Sequence, residues 1–383
     1  MLRAAPWTRA PLLTLRHSPG SFLACVLAGT VLSAAAASGP LFLASTATAA
    51  FHDQAAQACP EASRPGITDD AGAASYPAAA ESPNRLQGSD ASVRAADRRA
   101  GARAPYRVST ATVPVGAPAV PAAVFLYSRP GSTAHVTVVA GRRAAGIVVP
   151  ASYAAATKVG VGATLRIGAV ERRVTGVYRD LAPSAFVPLF QLPRYWCTWT
   201  DSIVPTPFNR PPPMFLVDDS TLVAAGADIV STWYDPTPAQ DRTVAQASSA
   251  LAATRSAAAH LDAKAFHFTA DLPGQLTRTS RIATGVRGPV LPIVLASVIV
   301  AALLVAASGL FWGLRREREI RLLSSRGVGW IALGFKAALE LLPALALGCV
   351  AGWAAALGVV RAAGPSSLLE PGAPTRALLA AAT

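Results

Sequence analysis

Three long apolar blocks interrupt a sequence that is otherwise of mixed polarity. Ser18 to Phe51, Gly288 to Leu314 and Leu341 to Val360 contain no Asp, Glu, Lys or Arg. The second block has 27 residues. As an α-helix of about 40 Å, it is long enough to cross a hydrocarbon core of about 30 Å. Buried helices of soluble proteins rarely stay uncharged over such lengths. The pattern predicts transmembrane helices over residues 21–50, 288–314 and 330–360.

The segment between the first two blocks, residues 51–287, has shorter apolar periods. These periods predict strands, the first two of which form a hairpin, at 123–127, 135–139, 146–150, 161–168, 172–178, 215–218 and 266–268. A helix is predicted over 238–263, whereas 60–105, rich in Ala, Ser, Gly and Pro, is predicted to be flexible. The expected fold is an α+β membrane protein with three transmembrane helices. A large mixed α/β extracytoplasmic domain is inserted between the first and second of them.

Positive charge is concentrated beside the apolar blocks. The net charge is +13, yet residues 51–287 carry 23 basic and 17 acidic residues, and the densest basic runs are 1–20 and 315–326. Basic flanks of transmembrane helices lie on the cytoplasmic side. We therefore predict a multi-pass cell-membrane protein that contacts the lipid bilayer and no nucleic acid. Its N-terminus, 1–20, is expected to be cytoplasmic and its tail, 361–383, extracytoplasmic.

Two local interpretations stay open from the residues alone. The basic N-terminus and the small residues Ala47 to Ala49 are also typical of a cleaved signal peptide, although the preceding apolar stretch is longer than a signal sequence requires. Cys59 and Cys197 lie in the predicted extracytoplasmic domain. There they either form a disulfide or remain free thiols.

Sequence motifs of catalysis and cofactor binding are absent. The chain has no Gly-x-x-x-x-Gly-Lys-Ser/Thr phosphate loop, no His-Glu-x-x-His zinc motif and no Gly-x-Ser-x-Gly nucleophile elbow. Gly160 and Gly162 begin a sequence like a dinucleotide loop, but Leu165 stands where its third glycine belongs. We predict a protein that is not an enzyme and has no cofactor or metal.

A short charged segment follows the second apolar block. Two oppositely charged pairs have the four-residue spacing that pairs side chains on one helical face: Arg315 with Glu319, and Glu317 with Arg321. An apolar patch accompanies them: Ile320, Leu322 and Leu323. A membrane anchor needs only the arginines. The patch therefore favours a docking helix over a solvated loop.

The third block carries two further features. Lys336 and Glu340 are four residues apart near its start. They form either a functional ion pair at membrane depth or an interfacial anchor. Gly348 and Gly352 form a small-x-x-x-small motif, which allows another helix to approach closely.

The run from Trp312 to Gly329, followed by a span that bears Glu340, resembles the permease domain of FtsX-like/MacB-like ABC transporters. The strand pattern of 148–153, 159–167 and 174–178 is similar to that of the extracytoplasmic domain of this family. An acidic residue often follows the glycine there, where this chain has Ala163.

The resemblance implies a cytoplasmic coupling helix over 315–329 that docks on a separate ATP-binding subunit. The docking residues that it implies are Arg318, Glu319, Ile320, Arg321, Leu322, Leu323, Ser324, Arg326 and Gly327. Family members have at least four spans and this sequence shows three. The resemblance therefore implies an incomplete member, with a second permease copy or a missing half as a further partner.

Two functions are compatible with these patterns. The first is the permease subunit of an ABC-type export or mechanotransmission complex, which couples a cytoplasmic ATPase to the extracytoplasmic domain. The alternative is a membrane-anchored domain that binds or regulates a cell-envelope partner without an ATPase.

Overall fold

The computed structural model describes residues 19–69, 83–116, 123–144, 146–226, 228–326 and 329–382. Nearly all of the predicted cytoplasmic N-terminus, 1–20, lies outside these residues. The chain divides into two compact units. The helical unit comprises Met1–Phe51, Thr243–Ala245 and Thr277–Thr383, and the sheet domain comprises His52–Arg242 and Gln246–Leu276.

Helices and strands are numbered in chain order. The described α-helices are α1 (Pro19–Gln57), α2 (Pro83–Arg99), α3 (Ala151–Thr157), α4 (Thr200–Ile203), α5 (Asp219–Ala224), α6 (Val244–Ala258), α7 (Leu272–Arg315), α8 (Glu317–Ser325), α9 (Trp330–Ala363) and α10 (Ala373–Ala382). The strands are β1 (Gly66–Asp69), β2 (Tyr106–Pro114), β3 (Ala123–Ser128), β4 (Val138–Gly141), β5 (Ile147–Pro150), β6 (Thr164–Ile167), β7 (Val170–Tyr178), β8 (Met214–Leu216), β9 (Val230–Tyr234) and β10 (Phe266–Thr269).

Three helices, α1, α7 and α9, are long and apolar enough to cross a membrane. The prediction of three such helices and a mixed α/β domain is confirmed at this level. The helices are longer than the uncharged runs that predicted them. α7 begins at Leu272 and not near residue 288. Arg287, which precedes the uncharged run, lies inside the helix, because arginine is a good helix former.

Glycines bring α1 and α9 into close contact within the helical unit. A Cβ atom at Gly348 would lie 2.7 Å from the carbonyl oxygen of Val26, and one at Gly352 would lie 2.3 Å from that of Thr30. No larger residue is accommodated at such distances without moving the helices. The small-residue motif of α9 therefore packs against α1.

The helix α10 packs on the same pair of helices. Ala373 and Ala377 of α10 are buried in one apolar cluster with Leu41 of α1 and Val360 of α9. The indole nitrogen of Trp353 donates a hydrogen bond to the carbonyl oxygen of Pro374, at 2.9 Å. The predicted tail, 361–383, thus contains a short helix that folds back onto α9.

The sheet domain is built on a ten-stranded sheet in the order β10-β1-β9-β2-β3-β8-β5-β7-β4, with β6 paired to β7. Neighbouring strands are antiparallel except in the pairs β3 with β8 and β5 with β7. Gly66 of β1 lies opposite Thr269 of β10. The first and last strands of the domain are therefore neighbours at one edge.

Apolar cores cover both faces at the centre of the sheet. Along β3, Val124 and Leu126 belong to one core, and Phe125 and Tyr127 belong to another, as the two-residue period of a strand requires. The second core also contains Trp196, which is fully buried and donates a hydrogen bond to the carbonyl oxygen of His135, at 3.0 Å.

A disulfide links the start of the sheet domain to its long connection between β7 and β8. Cys59 lies two residues beyond α1, and Cys197 lies in a 3-10 helix over Arg194–Trp199. The two residues are bonded, with Cα atoms 5.7 Å apart. Of the two alternatives left open by the sequence, the structure contains the disulfide.

The segment 60–105, expected to be flexible, contributes instead to the core of the sheet domain. β1 pairs on both sides, with β10 and with β9. α2 buries Val93 and Ala96 in a cluster with Ile67 and Trp233. Composition was misleading here because the helix buries small side chains, and small residues also dominate flexible segments. Residues 70–82 lie outside the described part of the segment.

The residues predicted to form a hairpin pair with other strands. β3 lies between β2 and β8, whereas β4 lies at the far edge against β7. A 3-10 helix over Ser132–His135 separates the two strands. Alternating apolar residues identify a strand. The strand with which it pairs depends on contacts between residues that are far apart in the sequence.

Candidate functional site

The charged segment after α7 forms a separate helix. α7 ends at Arg315, Arg316 forms the turn and α8 begins at Glu317. Glu317 and Glu319 occupy the first turn of α8, where negative charge interacts favourably with the helix dipole. The predicted coupling segment 315–329 thus contains a nine-residue helix. Gly327, the last of the predicted docking residues, lies outside the described residues.

Four charged side chains join α8 to the start of α9. Lys336 Nζ lies 2.5 Å from Oε1 of Glu319 and 3.8 Å from Oε1 of Glu340. Arg316 is hydrogen-bonded to Glu340, and its Nη1 lies 3.8 Å from Oε2 of Glu319. Two positive and two negative groups form this network, which we call the α8–α9 charge cluster.

Glu340 is the buried member of the charge cluster. Its residue surface is 5% exposed, and a carboxylate in an apolar helix is unfavourable unless cations surround it. Glu319 is more exposed. The hydrogen bond from Lys336 lowers the pKa of Glu319, and the positive charges of Lys336 and Arg316 act in the same direction. Glu319 is therefore ionised at neutral pH.

An apolar cavity of about 220 Å³ lies beside the charge cluster. Its apolar walls are Ile320 and Leu323 from α8 and Leu333 and Ala337 from α9. Arg316, Glu319 and Lys336 also line it. A small apolar cavity with charged residues at its edge is suited to one inserted apolar side chain with polar neighbours, as at the centre of a protein interface.

Four of the other predicted docking residues are exposed on α8 or just after it. Leu322 is 62% exposed, and Arg318, Arg321 and Arg326 are exposed as well. Arg321 forms the predicted pair with Glu317. Ser324 lies in the last turn of α8. The exposed side of this short helix is therefore mainly basic, with Leu322 as its most exposed large apolar side chain.

The predicted pair of Arg315 with Glu319 is not formed. The two residues belong to different helices, because the turn at Arg316 interrupts the four-residue spacing. The guanidinium carbon of Arg315 lies 4.9 Å from the ring centre of Phe311 instead. Glu319 contacts Lys336.

No protein-family model matches this chain, and no curated protein sequence matches it. The family resemblance of residues 312–329 stays a prediction. In the part of the chain that the structure describes, no group of three or more His, Cys, Asp or Glu side chains is placed to bind a metal ion. The site is therefore defined by its geometry alone.

Sequence reasoning missed the role of Arg316 as the link between α8 and α9. One feature of the sequence indicates that Glu340 needs a cationic partner. Glu340 is the single acidic residue of α9, and a buried carboxylate requires a cation. Lys336 was identified because it is four residues away. The contribution of Arg316 depends on the angle between two helices, which the sequence pattern does not define.

Proposed function

We propose that this protein is the membrane subunit of a complex in which a separate cytoplasmic ATPase docks on α8. The observation that carries the proposal is the charge cluster. It attaches α8 to a membrane-length helix while leaving an apolar cavity and a basic surface available to a partner. A helix attached in this way transmits a movement of its partner to α9. A simple membrane anchor needs no buried Glu340.

In the proposed arrangement α1, α7 and α9 cross the cell membrane as a multi-pass protein. The N-terminus and α8 face the cytoplasm, and the sheet domain and α10 lie outside. The basic flanks of the spans support this orientation. The disulfide supports an oxidising compartment for the sheet domain. The ATPase supplies the hydrolysis, and a second permease subunit completes the membrane part.

Affinity capture of the full-length chain from membranes of its native cells tests the docking. We expect one ATPase with a phosphate-binding loop to co-purify in a near-stoichiometric amount, with ATP hydrolysis in the eluate. The variant Glu317→Ala, Glu319→Ala, Ile320→Asp removes two charges and places a carboxylate at the cavity. This variant should lose the ATPase.

A matched control variant carries changes of the same type on the sheet domain, at the exposed residues Val139 and Glu171. Val139→Asp with Glu171→Ala should retain the ATPase. If the ATPase remains bound to the α8 variant, or if the control variant loses it as well, docking on α8 is refuted.

The second candidate function, an envelope-binding domain that works without an ATPase, has one observation in its favour. Leu189 and Phe208, in the Pro-rich connection between β7 and β8, are 97% and 99% exposed. Large apolar side chains with this exposure are frequent at protein interaction sites. This function predicts that an envelope partner is captured by the α8 variant as well as by the unmodified chain and is lost on Leu189→Ser with Phe208→Ser.

A further inference from the structure

The sheet domain contains a basic cavity that uses no residue of α8. Its volume is about 590 Å³, within the range of about 300–1,000 Å³ typical of small-molecule sites. Arg64, Arg129 and Arg194 line it together with His52 and His135, and no Asp or Glu is among the lining residues. The chemistry of this cavity therefore favours an anion.

Only one of the three arginines has a carboxylate partner. Arg129 Nη1 lies 2.7 Å from Oε1 of Glu61, whose side chain is 2% exposed. The guanidinium carbon of Arg64 lies 5.1 Å from the ring centre of Tyr106, and Arg194 donates a hydrogen bond to the carbonyl oxygen of Ala55, at 2.6 Å. Among the described residues, no salt bridge involves Arg64 or Arg194. Two of the three arginines at the cavity thus have no carboxylate at salt-bridge distance among the described residues.

The arginines lie on elements that the fold holds in place. Arg194 and Tyr195 belong to the 3-10 helix that the Cys59–Cys197 disulfide attaches to the start of the domain. The rings of Tyr195 and His135 stack, with centres 3.6 Å apart, and Arg129 lies over Tyr195 at 4.3 Å. A site whose side chains are already ordered loses less conformational entropy when a ligand binds.

Part of the cavity wall comes from the last turns of α1. His52, Ala55 and Ala56 follow directly on the uncharged run that ends at Phe51. Along the helix axis they lie within about 8 Å of the end of that run, at a rise of 1.5 Å per residue. In the proposed arrangement, with α1 crossing the membrane up to Phe51, this is the depth at which the polar headgroups adjoin the hydrocarbon of a bilayer.

We propose that this cavity binds the phosphate group of an anionic phospholipid headgroup. Two guanidinium groups without carboxylate partners match the charge and hydrogen-bond acceptors of a phosphate ester. The cavity is larger than inorganic phosphate requires, and Ala55, Ala56 and Pro60 supply apolar walls for the glycerol part. The site does not depend on an ATPase, so it stands or falls separately from the proposed docking.

Calorimetric titration of the purified full-length chain in a non-ionic detergent tests the site. The probes are dihexanoylphosphatidylglycerol, the zwitterionic dihexanoylphosphatidylcholine, and inorganic phosphate. We expect the phosphatidylglycerol to bind most tightly. Replacing both unpaired arginines, Arg64→Gln with Arg194→Gln, should weaken its binding by about tenfold or more.

Two control variants distinguish loss of the site from loss of the fold. Arg64→Lys with Arg194→Lys keeps both charges and should bind more tightly than the Gln variant, since lysine also binds phosphate as a point charge. Arg98→Gln removes an exposed arginine of α2 that does not line the cavity and should bind like the unmodified chain.

Inorganic phosphate that binds as tightly as phosphatidylglycerol, with the same dependence on Arg64 and Arg194, would assign the site to free phosphate. Phosphatidylglycerol binding that is absent, equal to that of phosphatidylcholine, or unchanged in the Gln variant would overturn the proposal.

Discussion

Three buried carboxylates of this protein, Glu340, Glu61 and Asp97, differ in their surroundings. Glu340 and Glu61 each contact an arginine. Asp97 of α2 is 4% exposed and lies near a second acid, Asp235, whose own ion-pair partner is Arg242. Burial, together with the negative charge of Asp235, raises the pKa of Asp97 to about 6. The environment of Asp97 therefore stabilises its neutral form.

Glu340→Gln should destabilise the helical unit because it leaves Arg316 and Lys336 without their buried carboxylate. We expect a loss of about 2–4 kcal/mol, since breaking a buried pair leaves a charge uncompensated. Reversible unfolding of the full-length chain in mixed micelles, followed by circular dichroism, measures the loss. Glu317→Gln, at the exposed pair with Arg321, should cost less than about 0.5 kcal/mol. Equal losses for the two variants would contradict the role assigned to Glu340, and adding Arg316→Gln to Glu340→Gln should recover part of the loss.

Asp97→Asn should stabilise the sheet domain at alkaline but not at acidic pH. The pKa of Asp97 in the folded protein is above its ordinary value of 3.8. The stabilising contribution of the protonated group is therefore complete below about pH 4 and is lost as the pH rises through about 6. At pH 8 the variant should gain about 1–2 kcal/mol over the unmodified chain, and near pH 4 the two should be equal.

Hydrogen exchange of the β1 and β9 amides, compared between variant and unmodified chain at the same pH, measures this difference. Asp201→Asn, at an exposed residue of α4, is the matched control and should leave exchange unchanged at both pH values. A gain for Asp97→Asn that does not depend on pH would show that the charge of Asp97 is not its cause.

The elements of this protein differ in how far the sequence determines them. The long uncharged runs predicted α1, α7 and α9, because a helix in lipid must be apolar on all sides. The strands β5, β6, β7, β8 and β10 appear near their predicted positions. The helix predicted over 238–263 is shorter, and α6 covers Val244–Ala258. Strand partners, the packing of α2 and the link from Arg316 to Glu340 depend on long-range contacts, which a local pattern does not contain.

Gly352→Leu should separate α1 from α9, because even a Cβ atom at this position would lie 2.3 Å from the carbonyl oxygen of Thr30. We expect a loss of about 2–4 kcal/mol, since adding several carbon atoms to a close helix contact exceeds ordinary overpacking. Thermal unfolding of the full-length chain in detergent gives the shift. Gly358→Leu on the same helix is the control, because its Cβ atom would meet nothing within 4 Å. If Gly358→Leu lowered the stability by as much as Gly352→Leu, the loss would come from the change in helix α9 itself and not from its contact with α1.

At the scale of the whole molecule, the two compact units are stabilised by different means. The helical unit depends on close contacts of small residues and on one charge cluster. The sheet domain depends on a continuous sheet with three apolar clusters and on a disulfide between residues 138 positions apart. Loss of the disulfide should therefore affect the second unit and leave the first unchanged.

Cys59→Ser with Cys197→Ser should lower the stability of the sheet domain by about 2–5 kcal/mol, because the disulfide restricts the unfolded chain over a long loop. Hydrogen exchange by mass spectrometry reads both units in one sample of the full-length chain. Exchange should accelerate in β2, β3 and β9 and stay the same in α9. The matched control is Cys25→Ser with Cys349→Ser, which removes the two free cysteines of the helical unit. If exchange in the sheet domain were unchanged, the disulfide would have no stabilising role.

The pairing of β1 with β10 has a consequence for how this architecture can be rearranged. The chain enters the sheet domain at His52, before β1, and leaves it at Leu276, after β10, and Gly66 and Thr269 are opposite each other on these antiparallel neighbours. A domain whose two ends lie side by side can be inserted into a connection of another protein without forcing the flanking segments apart. We therefore expect the sheet domain to be exchangeable as a module, and a replacement between α1 and α7 to need ends that also lie on adjacent strands.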